Sequence, residues 1–165
     1  MSDTRFLQYT TEYISGVMSL RTPQEDSLKI LASIMSEVDL SKDRKLEEKL
    51  SDITEMYPIC TDFERNFPSL TFALATGVGK TRLMGAFITY LYTVHGIRNF
   101  FVVAPGTTIY DKLQKDLGDT SNSKYIFKGI GCFLNPPNIV TDDDYHNKNL
   151  RLWESDINIY IYNID

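Results

Sequence analysis

Leu70 to Gly85 reads LTFALATGVGKTRLMG, and three textures follow one another within it. Leu70 to Ala75 is an apolar run, Thr76 to Gly79 a glycine turn, and Lys80 onward an amphipathic run, which together spell strand, loop and helix. Gly77 and Gly79 lack a Cβ, so the backbone can curl there and aim its N–H groups inward at an anion. The helix that follows adds the positive end of its dipole. Lys80 can reach β- and γ-phosphates as a flexible point charge, while the Thr81 hydroxyl can ligate a bridging Mg²⁺. In mechanism this is a Walker A loop. Thr76, Gly77, Val78, Gly79, Lys80 and Thr81 are therefore the candidate residues for ATP, with Lys80 and Thr81 the catalytic pair and Thr81 the metal ligand.

The strict spelling G-x-x-x-x-G-K-[ST] would place its first glycine where this chain has Leu74. ATGVGKT, Ala75 to Thr81, instead resembles motif I of superfamily-two helicases and translocases, in which Ala-Thr-Gly-x-Gly-Lys-Thr follows an apolar residue.

The rest of the composition is that of an ordinary globular chain. With 165 residues, 42% hydrophobic and 24% charged, one core is the prior. No apolar run approaches the roughly 18 residues a membrane span needs, and MSDTRFLQYT is not a signal peptide, so no membrane role and a cytoplasmic location are expected. Cys60 and Cys132 form no close-spaced ligand pair and are expected to be reduced. A net charge of −5 argues against nucleic-acid binding by bulk electrostatics, though not against a local site built from loop amides and hydroxyls.

Upstream of the loop the spacing is helical. Phe6, Leu7, Tyr13, Ile14, Val17 and Met18 suit a first helix through about Met18. Thr22-Pro23-Gln24-Glu25 predicts a second, with Thr22 as N-cap, Pro23 at the first position and Glu25 closing a capping box; Leu28, Leu31 and Met35 line one face. A third, begun by Ser41, carries Leu46, Leu50, Ile53 and Met56 and ends before Pro58. LRTPQEDSLKIL, Leu20 to Leu31, resembles the Q motif of many superfamily-two proteins. That resemblance implies that Gln24 binds the cofactor, its amide reading the adenine edge with one donor and one acceptor. The separation from Lys80, 80 − 24 = 56 residues, makes the third helix an insertion that folds aside.

Downstream, Leu83, Met84, Phe87, Ile88 and Leu91 continue the helix to a stop at Gly96. FFVVA, Phe100 to Ala104, is an uninterrupted apolar run that suits a parallel strand covered on both faces. Pro105 and Gly106 make a turn, Thr107 or Thr108 can cap, and Ile109, Leu113 and Leu117 stripe a helix ending at Gly118. Lys124 to Lys128 is a candidate strand, GIGCFLNPPN a loop, and TDDDY, Thr141 to Tyr145, a solvated loop or helix start. Ile157, Ile159 and Ile161 alternate with Asn158, Tyr160 and Tyr162 as a strand.

VVAPGTTIYDKL resembles motif Ia of the same superfamily, with wording closest to the motor (Res) subunits of type III restriction endonucleases. The resemblance implies that Pro105, Gly106, Thr107 and Thr108 touch the backbone of duplex DNA, through helix N-terminal amides and threonine hydroxyls. It also implies a partial RecA-like α/β domain, a parallel sheet flanked by helices behind an N-terminal helical extension. The expected division is residues 1–58 for the extension and 59–165 for the first part of the ATP-binding domain. A strand spelled like YNID occurs in that family, which would make Asp165 a strand-end residue. No Asp-Glu-x-His motif is present, so the chain reads as an N-terminal piece that needs a C-terminal motor lobe, with a methyltransferase or specificity subunit as further partner. Hydrolysis needs a second set of acids and an arginine finger, so this piece should bind nucleotide without efficient turnover. A small P-loop phosphotransferase or nucleotide kinase remains open as an alternative, as does a non-catalytic nucleotide-binding module. The kinase would need an arginine-rich lid, and Arg82, Arg98 and Arg151 form no cluster.

Overall fold

The computed structural model describes residues 2–142, 144 and 155–164, with side chains from residue 10 onward. Its helices are α1 (Ser2–Val17), α2 (Thr22–Glu37), α3 (Leu46–Met56), α4 (Lys80–His95) and α5 (Thr107–Gly118), and its strands β1 (Asn99–Ala104), β2 (Asn138–Val140) and β3 (Asn158–Asn163). A 3₁₀ turn, Gly131–Phe133, precedes β2. The strands form one parallel sheet ordered β1-β3-β2, with Val102 opposite Ile161 and Ile139 opposite Ile159. Parallel neighbours need a crossover, and α5, which follows β1, packs on all three strands. This is the expected α/β layering, a parallel sheet flanked by helices.

Alternation along the strands sorts their side chains onto two faces. Ile159 and Ile161 of β3 are fully buried and share a face with Phe100, Val102 and Ala104 of β1. The opposite face carries Phe101 and Val103, which are 69% and 53% exposed, and the Phe101 ring stacks on Tyr160 at 4.8 Å. The expectation that FFVVA is covered on both faces is thus corrected: among the described residues β1 is covered on one.

The core joins Ile14 and Met18 of α1, Leu28 and Leu31 of α2, Ala86, Ile88 and Tyr90 of α4, and Leu113 and Leu117 of α5 to the buried face of the sheet. Each buried Leu, Ile or Met among them contributes about 1.5–3 kcal/mol by leaving water. A smaller cluster of Ile34, Val38, Ile53 and Phe63 ties α3 to the far end of α2. Gly118 lets α5 lie close on β2, since a Cβ there would stand 2.3 Å from the Ile139 side chain.

Several local expectations are corrected. Leu70 to Ala75 has no regular secondary structure and is no strand among the described residues, with Phe72 and Leu74 partly buried between exposed neighbours. A strand needs a ladder partner, and β1 takes β3 on one edge with no described segment on the other. Lys124 to Lys128 forms turns, not a strand. Its Tyr125 and Phe127 are nonetheless buried, with Phe127 stacked on Phe133 at 4.0 Å. Helix α3 starts at Leu46 and not at Ser41, since residues 42 and 43 form a turn in which the Arg44 amide donates to the Ser41 carbonyl at 3.3 Å, with the Ser41 amide held by the Asp39 carboxylate. At Thr141, by contrast, one of the two expected forms is found: residues 142 and 144 are helical, and Asp144 accepts both the amide and the hydroxyl of Thr141. The side chains of Phe6 and Leu7, and Asp143, Tyr145, Arg151 and Asp165, lie outside the described residues.

Candidate functional site

The glycine loop curls as its composition demands. Gly77 and Gly79 sit at φ 83° and 96°, in the left-handed region that glycine enters without a Cβ penalty. Gly79 is the N-cap of α4, and its carbonyl accepts the Arg82 and Leu83 amides at 3.0 and 3.2 Å. The amides of Lys80 and Thr81 therefore stand at the open end of a 16-residue helix, where backbone donors lack internal acceptors. Lys80 is exposed, and its Nζ donates to the Ala75 carbonyl at 3.3 Å, back across the loop. Thr81 is partly buried, and Thr76 and Gly77 face solvent. A Cβ placed on Gly77 would meet nothing within 4 Å, so the loop is open at Gly77, whereas one on Gly79 would stand 2.8 Å from Gln24 Nε2. Donors without acceptors, an ammonium and a hydroxyl around open room are the set that a magnesium-bound phosphate chain fits.

Helix α2 meets this loop. Gln24 is only 1% exposed. Its Oε1 accepts the Arg21 amide at 2.8 Å, and its Nε2 donates to the Gly79 carbonyl at 2.7 Å. Those two partners, one donor and one acceptor, fix which end of the amide is which. The N-cap of α2 is thus Arg21, one residue before Thr22, and Gln24 rather than Glu25 closes the box. The Arg21 guanidinium donates to the Gly77 carbonyl at 3.2 Å, and that of Arg82 to the Met18 carbonyl at 2.9 Å. Gln24 and Gly79 of the glycine loop, 55 residues apart in the chain, are thus in direct contact. Arg21 and Arg82 were not expected at this junction. Arg21 lies inside the quoted LRTPQ stretch, whereas nothing in the sequence points from Arg82 to Met18.

The other candidate segment stands at the end of β1. Gly106, at φ 91°, is the N-cap of α5, so Thr107 and Thr108 occupy its first turn and do not cap it. The Gly106 amide donates to Asn163 Oδ1 at 3.1 Å, which ties the turn to the end of β3. Pro105, Thr107 and Thr108 are exposed. No hydrogen bond joins this turn to the glycine loop among the described residues.

Among the described residues no helix is long and apolar enough to cross a membrane, and no three His, Cys, Asp or Glu side chains gather to hold a metal.

Comparison with known proteins places this geometry in a lineage. No solved structure matches the chain significantly. The probable type III restriction-modification enzyme HindVIP Res subunit of Haemophilus influenzae is 38% identical over 64 residues, a stretch that covers 38% of this chain and 12% of that protein. The family model described as type III restriction enzyme, res subunit, matches residues 17–165. With α2, the glycine loop, the sheet and α5 all inside that match, the chain belongs to the type III restriction enzyme res subunit family, and its parallel sheet is part of a RecA-like domain.

Proposed function

We propose that this chain is the ATP-binding part of a nucleic-acid-dependent ATPase, a helicase or translocase of a restriction-modification enzyme. The observation that carries the reading is the glycine loop, with two left-handed glycines and the open N-terminus of α4 beside Lys80 and Thr81. In this reading it is a Walker A loop. Lys80 neutralises charge on the phosphates, the Lys80 and Thr81 amides donate to their oxygens, and Thr81 supplies a hydroxyl ligand to Mg²⁺. When bound, the metal would supply positive charge against the developing charge on the phosphate. The exposed first turn of α5, with Thr107 and Thr108, suits the backbone of duplex DNA, since amides and hydroxyls contact phosphates without needing net positive charge. A second motor lobe and a methyltransferase or specificity subunit complete the assembly, in the cytoplasm.

Calorimetry with ATP and Mg²⁺ tests the carrying observation. Lys80→Ala should weaken binding about ten- to a hundred-fold, since a hydrogen bond to a charged group is worth about 1.5–3 kcal/mol. Thr81→Ala should weaken it chiefly when Mg²⁺ is present. Unchanged affinity in Lys80→Ala would remove the basis of the proposal.

A further inference from the structure

We infer that Gln24, assisted by Arg21, is a positioning residue for the phosphate loop, so that the start of α2 sets triphosphate affinity whatever the base. The proposal rests on reading the glycine loop as a triphosphate site. Reading the adenine edge would need a free donor and a free acceptor of the Gln24 amide turned toward the base. Each end is instead engaged by the chain's own backbone, at 2.8 Å from the Arg21 amide and 2.7 Å from the Gly79 carbonyl, and the remaining N–H and lone pair have almost no exposed surface through which to be offered. Only 1% of the residue is exposed.

The peptide plane shows what such a contact can do. In a trans peptide the carbonyl of one residue and the N–H of the next point in opposite directions, and no cis peptide occurs here. Pulling the Gly79 carbonyl toward Gln24 therefore turns the Lys80 N–H away from α2, toward the open side of the loop. The Arg21 guanidinium takes the Gly77 carbonyl at 3.2 Å and fixes the following peptide plane in the same way. Both planes flank glycines in the left-handed region, where no Cβ restrains the torsions; the Gly79 carbonyl is also held by the Arg82 and Leu83 amides, and Gln24 adds the shortest of its three contacts. The loop is thus clamped at its two flexible points from one helix start, and the Lys80 donor is set before any anion arrives. Pre-set donors avoid the ordering cost of binding.

The test uses residues 1–165 with Gln24→Met, which keeps the length and apolar volume but cannot donate to Gly79. Arg21→Ala is the second variant, at an exposed side chain whose loss should not disturb the core. Hydrogen exchange without nucleotide should quicken across residues 76–83 in both variants. Gln24→Met should also quicken it at the start of α2, where the Arg21 amide loses its acceptor, and lower the urea midpoint by the loss of that cap, while Arg21→Ala should keep the midpoint and exchange elsewhere near the parent's. ATP, GTP and tripolyphosphate should each bind Gln24→Met more weakly by the same factor, about two- to tenfold for one neutral hydrogen bond. A loss confined to ATP would overturn the proposal in favour of base reading, and so would unchanged exchange at 76–83. If the parent binds none of the three anions while exchange still quickens, the clamp stands and the triphosphate reading falls.

Discussion

Gly85→Ala tests whether α4 is placed as described. In an exposed helix interior this change stabilises by about 1 kcal/mol, because alanine loses less backbone entropy than glycine. Here the new Cβ would stand 2.1 Å from Ile126 Cγ2 and 3.2 Å from Met18 Cε. Ordinary contact begins near 3.4 Å, so the Ile126 methyl must retreat by 3.4 − 2.1 = 1.3 Å, and it is the rigid β-branch of a side chain packed on the core. Overpacking of this kind costs about 1–3 kcal/mol, and so short an approach belongs at the upper end. Subtracting the helix gain leaves about 2 kcal/mol of net destabilisation. For a domain of this size that lowers Tm by about 4–8 °C, at about 2–4 °C per kcal/mol. Urea unfolding of the parent, Gly85→Ala, Ile126→Ala and the double variant gives the coupling directly, and removing the Ile126 branch should recover about 1–3 kcal/mol of the loss. A Gly85→Ala chain more stable than the parent, with additive effects in the cycle, would refute the placement of α4 against the 119–130 turns.

Two further outcomes follow from the same geometry. Thr107→Ala with Thr108→Ala should weaken binding of duplex DNA by about two- to tenfold, as loss of one or two neutral hydrogen bonds would. In a filter-binding series the loss should be similar across sequences, since phosphate contacts carry no sequence information, and sequence-dependent loss would point to base contacts instead. Burial, with a smaller push from Cys132, raises the Tyr125 phenol from 10.0 to about 12. The fold therefore favours the neutral phenol, so this contribution to stability is whole below the unfolded value of about 10 and is lost as pH rises through about 12. Tyr125→Phe should flatten the alkaline limb of stability between those limits, followed by urea midpoints. An equally steep limb in that variant would place the alkaline sensitivity elsewhere.

Elements whose signals are local were legible in the residues themselves. Glycine at 77 and 79 followed by an amphipathic run leaves a chain few options besides a left-handed curl opening a helix, and both are found. Gly96 ends α4 at φ 65°, with the Ile97 amide returning to the Leu91 carbonyl at 3.2 Å, as a glycine at that place predicts. The strict alternation of Ile157, Ile159 and Ile161 matches the buried face of β3. Features that depend on a partner distant in the chain were settled by packing. Leu70 to Ala75 has the composition of a strand, but a strand exists only where another backbone completes its hydrogen bonds, and no described segment does so. The apolar signal around Tyr125 and Phe127 misleads in a different way: these aromatic residues bury themselves from turns, because burial needs area and not periodicity. Least legible was the junction at the loop. That α1 and α2 share the core with α4, and that Arg21 and Gln24 hold the carbonyls of Gly77 and Gly79, depends on how helices pack over a separation of more than fifty residues. Hydrogen bonds to backbone carbonyls leave no mark in the sequence of the residue that accepts them, because every residue carries the same carbonyl.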